Sequence, residues 1–201
     1  MLRLTKLAVR LSLATALVVS ATSTIAADTI KIGWLSSLTG ALSSAAIAEN
    51  QGVQLAVDEI NKSGGILGRQ IELLTRDTAG DPTKAVNFAQ QLAFSDKVHF
   101  VIWPVNSGDG LAAVPILARA GVPNLVIGAI DELIDPVKYP RAFRVINTNR
   151  QWISTANDYA IKVLKKSKVA VIADTSGYGT ASAKTAIELL EKAGIKPVYT
   201  V

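Results

Sequence analysis

Ser107 is the residue whose type and position most clearly suggest chemistry. It follows an apolar run at residues 98–103 and precedes a segment with helical spacing that extends to Arg119 and stops at Gly121. The first turn of a helix carries unpaired backbone N–H groups and the positive end of the helix dipole, so a serine there suits an anion such as a carboxylate. The alternative is that the Ser107 hydroxyl only caps its own helix, a role we expect in either case. We place Asn106 in the same predicted ligand contact.

The residue types needed for catalysis are scarce. The chain contains one histidine, His99, and no cysteine. A Ser-His-Asp site would have to use His99, which lies near the start of a predicted strand, opposite the strand ends where α/β sheets bind ligands. No serine stands in a G-x-S-x-G turn, thiolate sites and disulfides are excluded, and no loop concentrates carboxylates. We therefore expect no enzyme, no metal and no other cofactor; hydrolysis that is lost on replacing His99 would contradict this.

The first residues have the pattern of a secretory signal peptide. Three basic residues within the first ten precede the apolar residues 11–19 and small residues up to Ala27, which predicts cleavage after Ala26 or Ala27. The apolar stretch is shorter than the ~20 residues that a membrane span requires. Residues 1–27 hold three of the 21 basic residues and none of the 16 acidic ones, so the net charge falls from +5 to +2 on cleavage. We expect a periplasmic protein with no nucleic-acid partner and no membrane insertion after cleavage.

Strand-like and helix-like segments alternate from residue 29 onward. We predict strands at 29–35, 69–76, 98–103, 122–127 and 168–174 and from 195, with helices at 43–62, from 82, and at 107–119, 150–165 and 178–192. Residues 141–146 are predicted to form an extended connector. Helix 43–62 is predicted to bury Val53, Ala56, Val57 and Ile60. The alternation predicts an α/β fold with a mostly parallel sheet and helices on both faces, which binds ligands beyond the carboxyl ends of its strands.

A break near Asn147 divides this pattern in two. We predict an N-terminal α/β lobe at residues 28–147 and the start of a second α/β lobe at 148–201. The second part holds two predicted strands, too few for an independently stable lobe. We therefore expect the second lobe to be incomplete and the sequence to be cut short.

Several short segments carry more information together than any carries alone. They are residues 30–33 (IKIG), 38–40 (LTG), 55–61 (LAVDEIN), 64–73 (GGILGRQIEL), 81–82 (DP), 120–123 (AGVP) and 178–179 (YG). In this combination the chain resembles the Leu/Ile/Val-binding family of type I periplasmic binding proteins. The resemblance implies a monomer whose two lobes close on a small solute and then dock on the membrane subunits of an ABC importer.

The resemblance also assigns ligand contacts to three residues. Ser107 matches the serine that holds the ligand's carboxylate in the first lobe. Ala129 matches a residue whose backbone contacts the ligand, and Tyr178 matches the tyrosine of the second lobe that packs over it.

Other positions depart from the family pattern. Ile130, or Asp131 if the register slips by one, stands where a threonine is usual, and Thr148 stands where an aspartate often lies. Trp103 replaces a small residue, either as a ligand contact or as a core residue at a strand end, and Ala45 replaces a tyrosine of some members. The chain thus loses a hydroxyl and an anion that would accept hydrogen bonds from an ammonium group. This predicts a small carboxylate, including an aromatic one, or an amide in preference to a branched-chain amino acid, unless later sequence supplies the acceptor.

Two alternatives use the same fold. The chain could be the ligand-sensing ectodomain of a receptor, which would require a membrane span downstream, or a truncated fragment without function. A repressor is disfavoured because the chain opens with an export signal and has no basic helix-turn-helix.

Overall fold

The described part of the protein contains two parallel sheets and their crossover helices. The computed structural model describes residues 28–103 and 106–201, so the predicted signal peptide lies outside the described residues. The strands are β1 (Ile30–Ser36), β2 (Ile71–Asp77), β3 (Phe100–Trp103), β4 (Asn124–Val126), β5 (Ala142–Arg144), β6 (Ala170–Val171) and β7 (Tyr199–Thr200). The helices are α1 (Ser43–Lys62), α2 (Pro82–Gln90), α3 (Ser107–Ala120), α4 (Asn149–Asp158) and α5 (Gly177–Lys192). π-helical turns at Gln91–Ser95 and Tyr159–Val163 extend α2 and α4, and a 3-10 turn at Asp131–Leu133 follows β4.

The first sheet has five parallel strands in the order β2-β1-β3-β4-β5, and β6 and β7 form a second parallel pair. Ile32 of β1 pairs with Leu73 on one side and Phe100 on the other. Parallel neighbours require crossover connections, which the helices supply. The predicted α/β fold with a parallel sheet and helices is confirmed.

Strand β5 corrects one prediction. Residues 141–146 were expected to be only an extended connector, but Ala142–Arg144 form the fifth strand, with Phe143 opposite Leu125 of β4. Phe143 is exposed and Arg144 half-buried. An edge strand of three residues is too short to show an alternation of apolar and polar residues, which explains the error.

The main core lies on one face of the first sheet. The side chains of Leu35, Leu92, Trp103 and Leu117 belong to it, contributed by strands β1 and β3 and by the helical segments on that face. Trp34 lies outside this cluster because neighbouring strand residues point to opposite faces, and it is buried on the α1 side. No helix in the described part of the chain is long and apolar enough to cross a membrane.

Helix α1 begins and ends at the predicted residues but buries fewer of them. Val57 is buried and Val53 half-buried, whereas Ala56 and Ile60 are exposed, so two of the four predicted core residues are wrong. Helical spacing shows which residues share a face, but it does not show how much of that face another element covers.

Local signals define where other helices begin and end. The Asp81 side chain accepts hydrogen bonds from the N–H groups of Thr83 and Lys84, with Pro82 in the first helical position, as predicted. Gly121 ends α3 in the left-handed conformation with φ 70°.

Candidate functional site

The loops after β1 and β2 are held together at the carboxyl edge of the first sheet. The Asp77 carboxylate accepts hydrogen bonds from the Thr39 hydroxyl at 2.8 Å and from the Ala79 N–H at 2.9 Å. Burial raises the pKa of Asp77, but these hydrogen bonds outweigh it and lower the pKa below its usual value. The two loops therefore form a fixed wall at the edge where parallel sheets bind ligands.

The start of helix α3 lies at the same edge, and here the predicted cap is wrong. The cap is Asn106, whose side-chain oxygen accepts from the N–H groups of Gly108 at 3.0 Å and Asp109 at 3.3 Å. Ser107 is the first helical residue and is 1% exposed, and its hydroxyl has no hydrogen-bond partner among the described residues. A buried hydroxyl without a partner costs free energy, so it is a group that a ligand can satisfy.

The starts of α3 and α5 meet at Gly108, the residue that follows Ser107. A Cβ atom placed on Gly177 would lie 3.1 Å from the Cα of Gly108, so two glycines allow the close approach. Each helix start carries a partial positive charge equivalent to about half an elementary charge. Their juxtaposition favours an anion between them, and Ser107 supplies a donor there. A Cβ on Gly128, in the loop after β4, would lie 3.3 Å from the Ser107 Oγ, which places that loop next to the hydroxyl.

Further contacts join the two sheets through the start of α4. The Arg150 guanidinium pairs with Asp131 at 2.9 Å and with Glu188 of α5 at 3.0 Å. The hydrogen bonds from Arg150 and Lys192 lower the pKa of Glu188 to about 2, and the hydrogen bonds to Glu188 and Asp131 raise the pKa of Arg150. Arg150 thus links the loop after β4 to α5.

Three predicted contacts occupy structural positions. Trp103 is 1% exposed in the core and its indole N–H donates to the Asn124 side chain at 3.1 Å, while Ile130 is fully buried in the same cluster. Both side chains pack in the core, but Ser107 is equally buried, so the predicted ligand contacts of Trp103 and Ile130 stay predictions. The Thr148 hydroxyl caps α4 by accepting from the Gln151 N–H at 3.2 Å, in a reciprocal capping box.

The other predicted contacts lie near the junction. The Ala129 backbone oxygen accepts from the Asn149 N–H at 2.8 Å, which ties the loop after β4 to the start of α4. Tyr178 lies in the first turn of α5, next to Gly177, and its side chain is 41% exposed. The approach of α3 and α5 therefore sets Gly177, which precedes Tyr178, against Gly108, which follows Ser107.

His99 lies at the amino end of β3, at the opposite edge of the sheet from Ser107. The His99 ring Nδ1 accepts a hydrogen bond from the Lys31 N–H at 3.1 Å, and the backbone N–H of His99 donates to the Lys31 carbonyl at 2.9 Å. The ring therefore extends the pairing of β1 and β3. Within residues 28–103 and 106–201, no group of three or more His, Asp or Glu side chains could hold a metal ion.

Two cavities, of about 560 and 480 Å³, lie beside α5. The smaller one is bordered by Leu111, Asp131, Arg150 and Glu188, and the larger one by Lys184 and Ile187 among others. Neither is lined by Ser107. We therefore place the candidate site at the converging helix starts and the partnerless Ser107 hydroxyl, and not in the larger of the two cavities.

The sequence matches a known family over its described length. A family model described as periplasmic binding protein matches residues 29–201. The chain belongs to the periplasmic binding protein family. This binding protein is 32% identical over 169 residues to a Leu/Ile/Val-binding protein of Rhizobium johnstonii, a match covering 84% of the chain and 46% of the relative. It is 32% identical over 187 residues to the leucine-, isoleucine-, valine-, threonine- and alanine-binding protein of Pseudomonas aeruginosa, covering 93% of the chain and 50% of the relative.

Solved structures agree with this assignment. The binding protein is similar to the branched-chain amino acid transporter substrate-binding protein of Streptococcus pneumoniae in complex with isoleucine, with a TM-score of 0.74, 31% identity and coverage of 86% and 49% of the two chains. It is also similar to an ABC transporter solute-binding protein of Rhodopseudomonas palustris in complex with 3,4-dihydroxybenzoic acid, with a TM-score of 0.73, 26% identity and coverage of 86% and 47%. The predicted resemblance is confirmed, and the chain spans about half the length of the relatives it matches.

Proposed function

We propose that the protein is the extracytoplasmic solute-binding component of an ABC importer. It binds a small solute bearing a carboxylate between its two lobes, residues 28–147 and the lobe that begins at residue 148. The signal-peptide pattern at residues 1–27 supports delivery to the periplasm. The relatives include amino-acid-binding proteins and the solute-binding protein of an ABC transporter, which supports a transport role over catalysis.

The observation that carries this proposal is the buried, partnerless hydroxyl of Ser107 at the meeting of two helix starts. A carboxylate placed there would accept from that hydroxyl and would lie at the positive ends of both helix dipoles, while the Asn106 side chain already holds the N–H groups of Gly108 and Asp109. Because α3 follows β3 of the first sheet and α5 follows β6 of the second, one anion can interact with both lobes.

The ligands of two similar structures have this chemistry in common. Isoleucine is bound by the Streptococcus pneumoniae protein and 3,4-dihydroxybenzoic acid by the Rhodopseudomonas palustris protein. The two ligands share a carboxylate and little else. A site built on two helix starts and a serine recognises the shared group, while residues further along the cleft determine which side chain or ring is accepted.

Binding between the lobes also explains how a solute could signal its presence to an importer. A solute that contacts both lobes stabilises the closed arrangement relative to the open one, in proportion to its differential affinity for the two. The closed arrangement would then present a combined surface to the membrane subunits.

The test is calorimetric titration of the full-length protein with isoleucine, 3,4-dihydroxybenzoate and isoleucinamide, which lacks the carboxylate. We expect at least one of the two carboxylates to bind, isoleucinamide not to bind, and Ser107→Ala to weaken the binding at least tenfold. Ser36→Ala is the matched control, because its hydroxyl is also buried without a described partner but lies on the α1 side of the sheet. Binding that Ser107→Ala leaves unchanged would contradict the proposal.

A further inference from the structure

The end of α4 and the turn that leads into β6 form a strongly basic surface. Residues 159–173 contain four lysines and no aspartate or glutamate. Lys162 pairs with Asp158 at 2.9 Å. Lys165, Lys166 and Lys168 are exposed and take part in none of the ion pairs within residues 28–103 and 106–201. Three neighbouring ammonium groups are therefore left without a carboxylate partner in the described part of the chain.

The pairing of β6 with β7 brings a fourth lysine to the same place. The Val198 N–H donates to the Val169 carbonyl at 2.9 Å, and the two strands are parallel. Lys168 and Lys196, which precede these strands, therefore lie at the same amino edge of the second sheet. Lys196 is also exposed and outside the ion pairs of the described residues. The basic edge consists of these four residues: Lys165, Lys166, Lys168 and Lys196.

Few carboxylates lie near the basic edge. Helix α5 ends on this side of the sheet, and its Glu188 is already paired with Arg150 and Lys192, while Glu191 is in none of the described ion pairs. Four unpaired lysines are therefore set against one unpaired carboxylate. A chain segment that packed over the edge would have to supply a carboxylate for each ammonium group that it buried, because an unpaired buried charge is costly. The basic edge therefore suits an anionic surface better than an apolar partner.

Apolar side chains alternate with the lysines. Val163 and Leu164, directly before Lys165, are 61% and 48% exposed, and Val198, beside Val169, is 62% exposed. A bilayer surface accepts both kinds of group, because aliphatic side chains enter the interface while flexible lysine stems let the ammonium groups reach the lipid phosphates. The lysines alone would suffice for a soluble acidic protein, so the exposed valines and leucine favour a lipid surface.

We infer that the basic edge is an interaction surface for anionic phospholipids, which hold the protein against a bilayer without inserting it. Clusters of lysine attract such bilayers through the negative potential at their surface. The edge lies at the opposite end of the second sheet from the start of α5 at Gly177, so bound lipid and bound solute do not compete. The inference goes beyond the proposed function and does not depend on the solute site.

The test is co-sedimentation of the full-length protein with lipid vesicles. The protein is expressed without residues 1–27, so that the apolar residues 11–19 do not contribute. We expect binding to vesicles of phosphatidylglycerol mixed with phosphatidylcholine, and none to phosphatidylcholine alone. Salt at about 0.5 M should release the protein, because exposed charges are then screened.

Two triple variants test the lysines themselves. Each lysine near an anionic bilayer strengthens binding roughly fivefold, so replacing Lys165, Lys166 and Lys168 together by glutamine should weaken it at least tenfold. The matched control replaces Lys62, Lys84 and Lys97 by glutamine and should change binding less than twofold. Those three lysines are exposed on the first lobe, and Lys97 has the same left-handed backbone as Lys165, with φ 54° and 53°. Thermal unfolding checks that both variants fold, and Lys166→Gln alone should still weaken binding several-fold.

A soluble polyanion distinguishes lipid from an acidic protein partner. Val163→Ser combined with Leu164→Ser should weaken binding to the phosphatidylglycerol vesicles at least threefold and change binding to polyglutamate less than twofold. Tighter binding to polyglutamate than to the vesicles would assign the basic edge to an acidic protein and overturn the inference. Equal binding to both kinds of vesicle, or vesicle binding that the lysine variants leave unchanged, would also overturn it. Solute binding without vesicle binding would leave the proposed function intact, so the two fail separately.

Discussion

Asn106 and Ser107 are adjacent residues that both have the chemistry of a helix cap, yet they do different things. Asn106 satisfies two N–H groups of α3, whereas the Ser107 hydroxyl satisfies nothing in the described chain. Asn106→Ala should therefore lower the free energy of unfolding by about 1 kcal/mol. Ser107→Ala should leave it unchanged or raise it by up to about 1 kcal/mol, because it removes a buried group without a partner. Urea unfolding of the full-length protein without solute measures both.

An equal loss of stability in the two variants would contradict this division of roles, since it would show that the serine hydroxyl supports the fold. Combined with the titrations above, the expected result separates the residue that holds the helix from the residue that holds the solute. A residue whose replacement reduces affinity without lowering the stability of the protein is typical of a binding site.

The sequence predicts single residues well where the signal is local. Asp81 and Gly121 act at the ends of α2 and α3 as their types indicate. Thr148 and Gln151 also have the spacing of a capping box, a signal that could have identified the structural role of Thr148. The burial of Asp109 could not be predicted, because an acidic residue in a first helical turn is ordinary and the residues that bury it, Ser37 and Thr78, come from distant loops.

At the scale of elements, Glu188 of α5 pairs with Arg150 of α4, which in turn pairs with Asp131 after β4, and the strength of the Glu188 pair depends on pH. Glu188 has a pKa of about 2 in the folded protein against a usual value of 4.5, through its contacts with Arg150 and Lys192. A depressed carboxyl pKa contributes stability that is present above the unfolded value and is lost as the pH falls from about 4.5 toward 2. Glu188→Gln should therefore lower the unfolding temperature modestly at pH 7, and the difference from the unmodified protein should shrink as the pH approaches 2.

Thermal unfolding followed by circular dichroism between pH 7 and pH 2.5 measures this difference. Glu191→Gln is the control, because Glu191 lies on the same helix and takes part in none of the ion pairs described above. A constant difference between Glu188→Gln and the unmodified protein across the whole pH range would contradict the predicted linkage.

Elements were predictable in proportion to their length. The 20 residues of α1 give more than five turns of helical spacing, and its predicted bounds are correct. The three residues of β5 and the two of β6 are too short for any period, and their positions depend on pairing with strands elsewhere. What α1 buries was harder to predict, because Ala56 and Ile60 share a face with Val57 but extend past the part that the sheet covers.

At the scale of the whole molecule, the arrangement of the two sheets determines whether a site exists. The alternation of elements predicts both sheets, but the contact between α3 and α5 results from two glycines, Gly108 and Gly177, separated by 69 positions in the sequence. Arg150 adds a polar link between the same two parts. No local pattern encodes such a meeting, so the sequence predicted ligand contacts at Ser107 and Tyr178 but not the approach of Gly177 to Gly108.

If closure of the lobes brings these helix starts together, a side chain at Gly177 should prevent it. A Cβ atom there would lie 3.1 Å from the Cα of Gly108, and the larger Gly177→Val side chain would force the helix starts apart. We expect solute to reduce the radius of gyration of the unmodified full-length protein in small-angle X-ray scattering, but not that of Gly177→Val, and we expect affinity to fall at least tenfold. Gly52→Val is the control, because its Cβ would meet nothing within 4 Å. Normal contraction in Gly177→Val would show that the contact between α3 and α5 is not needed for closure, and the anion site would then have to be formed by α3 alone.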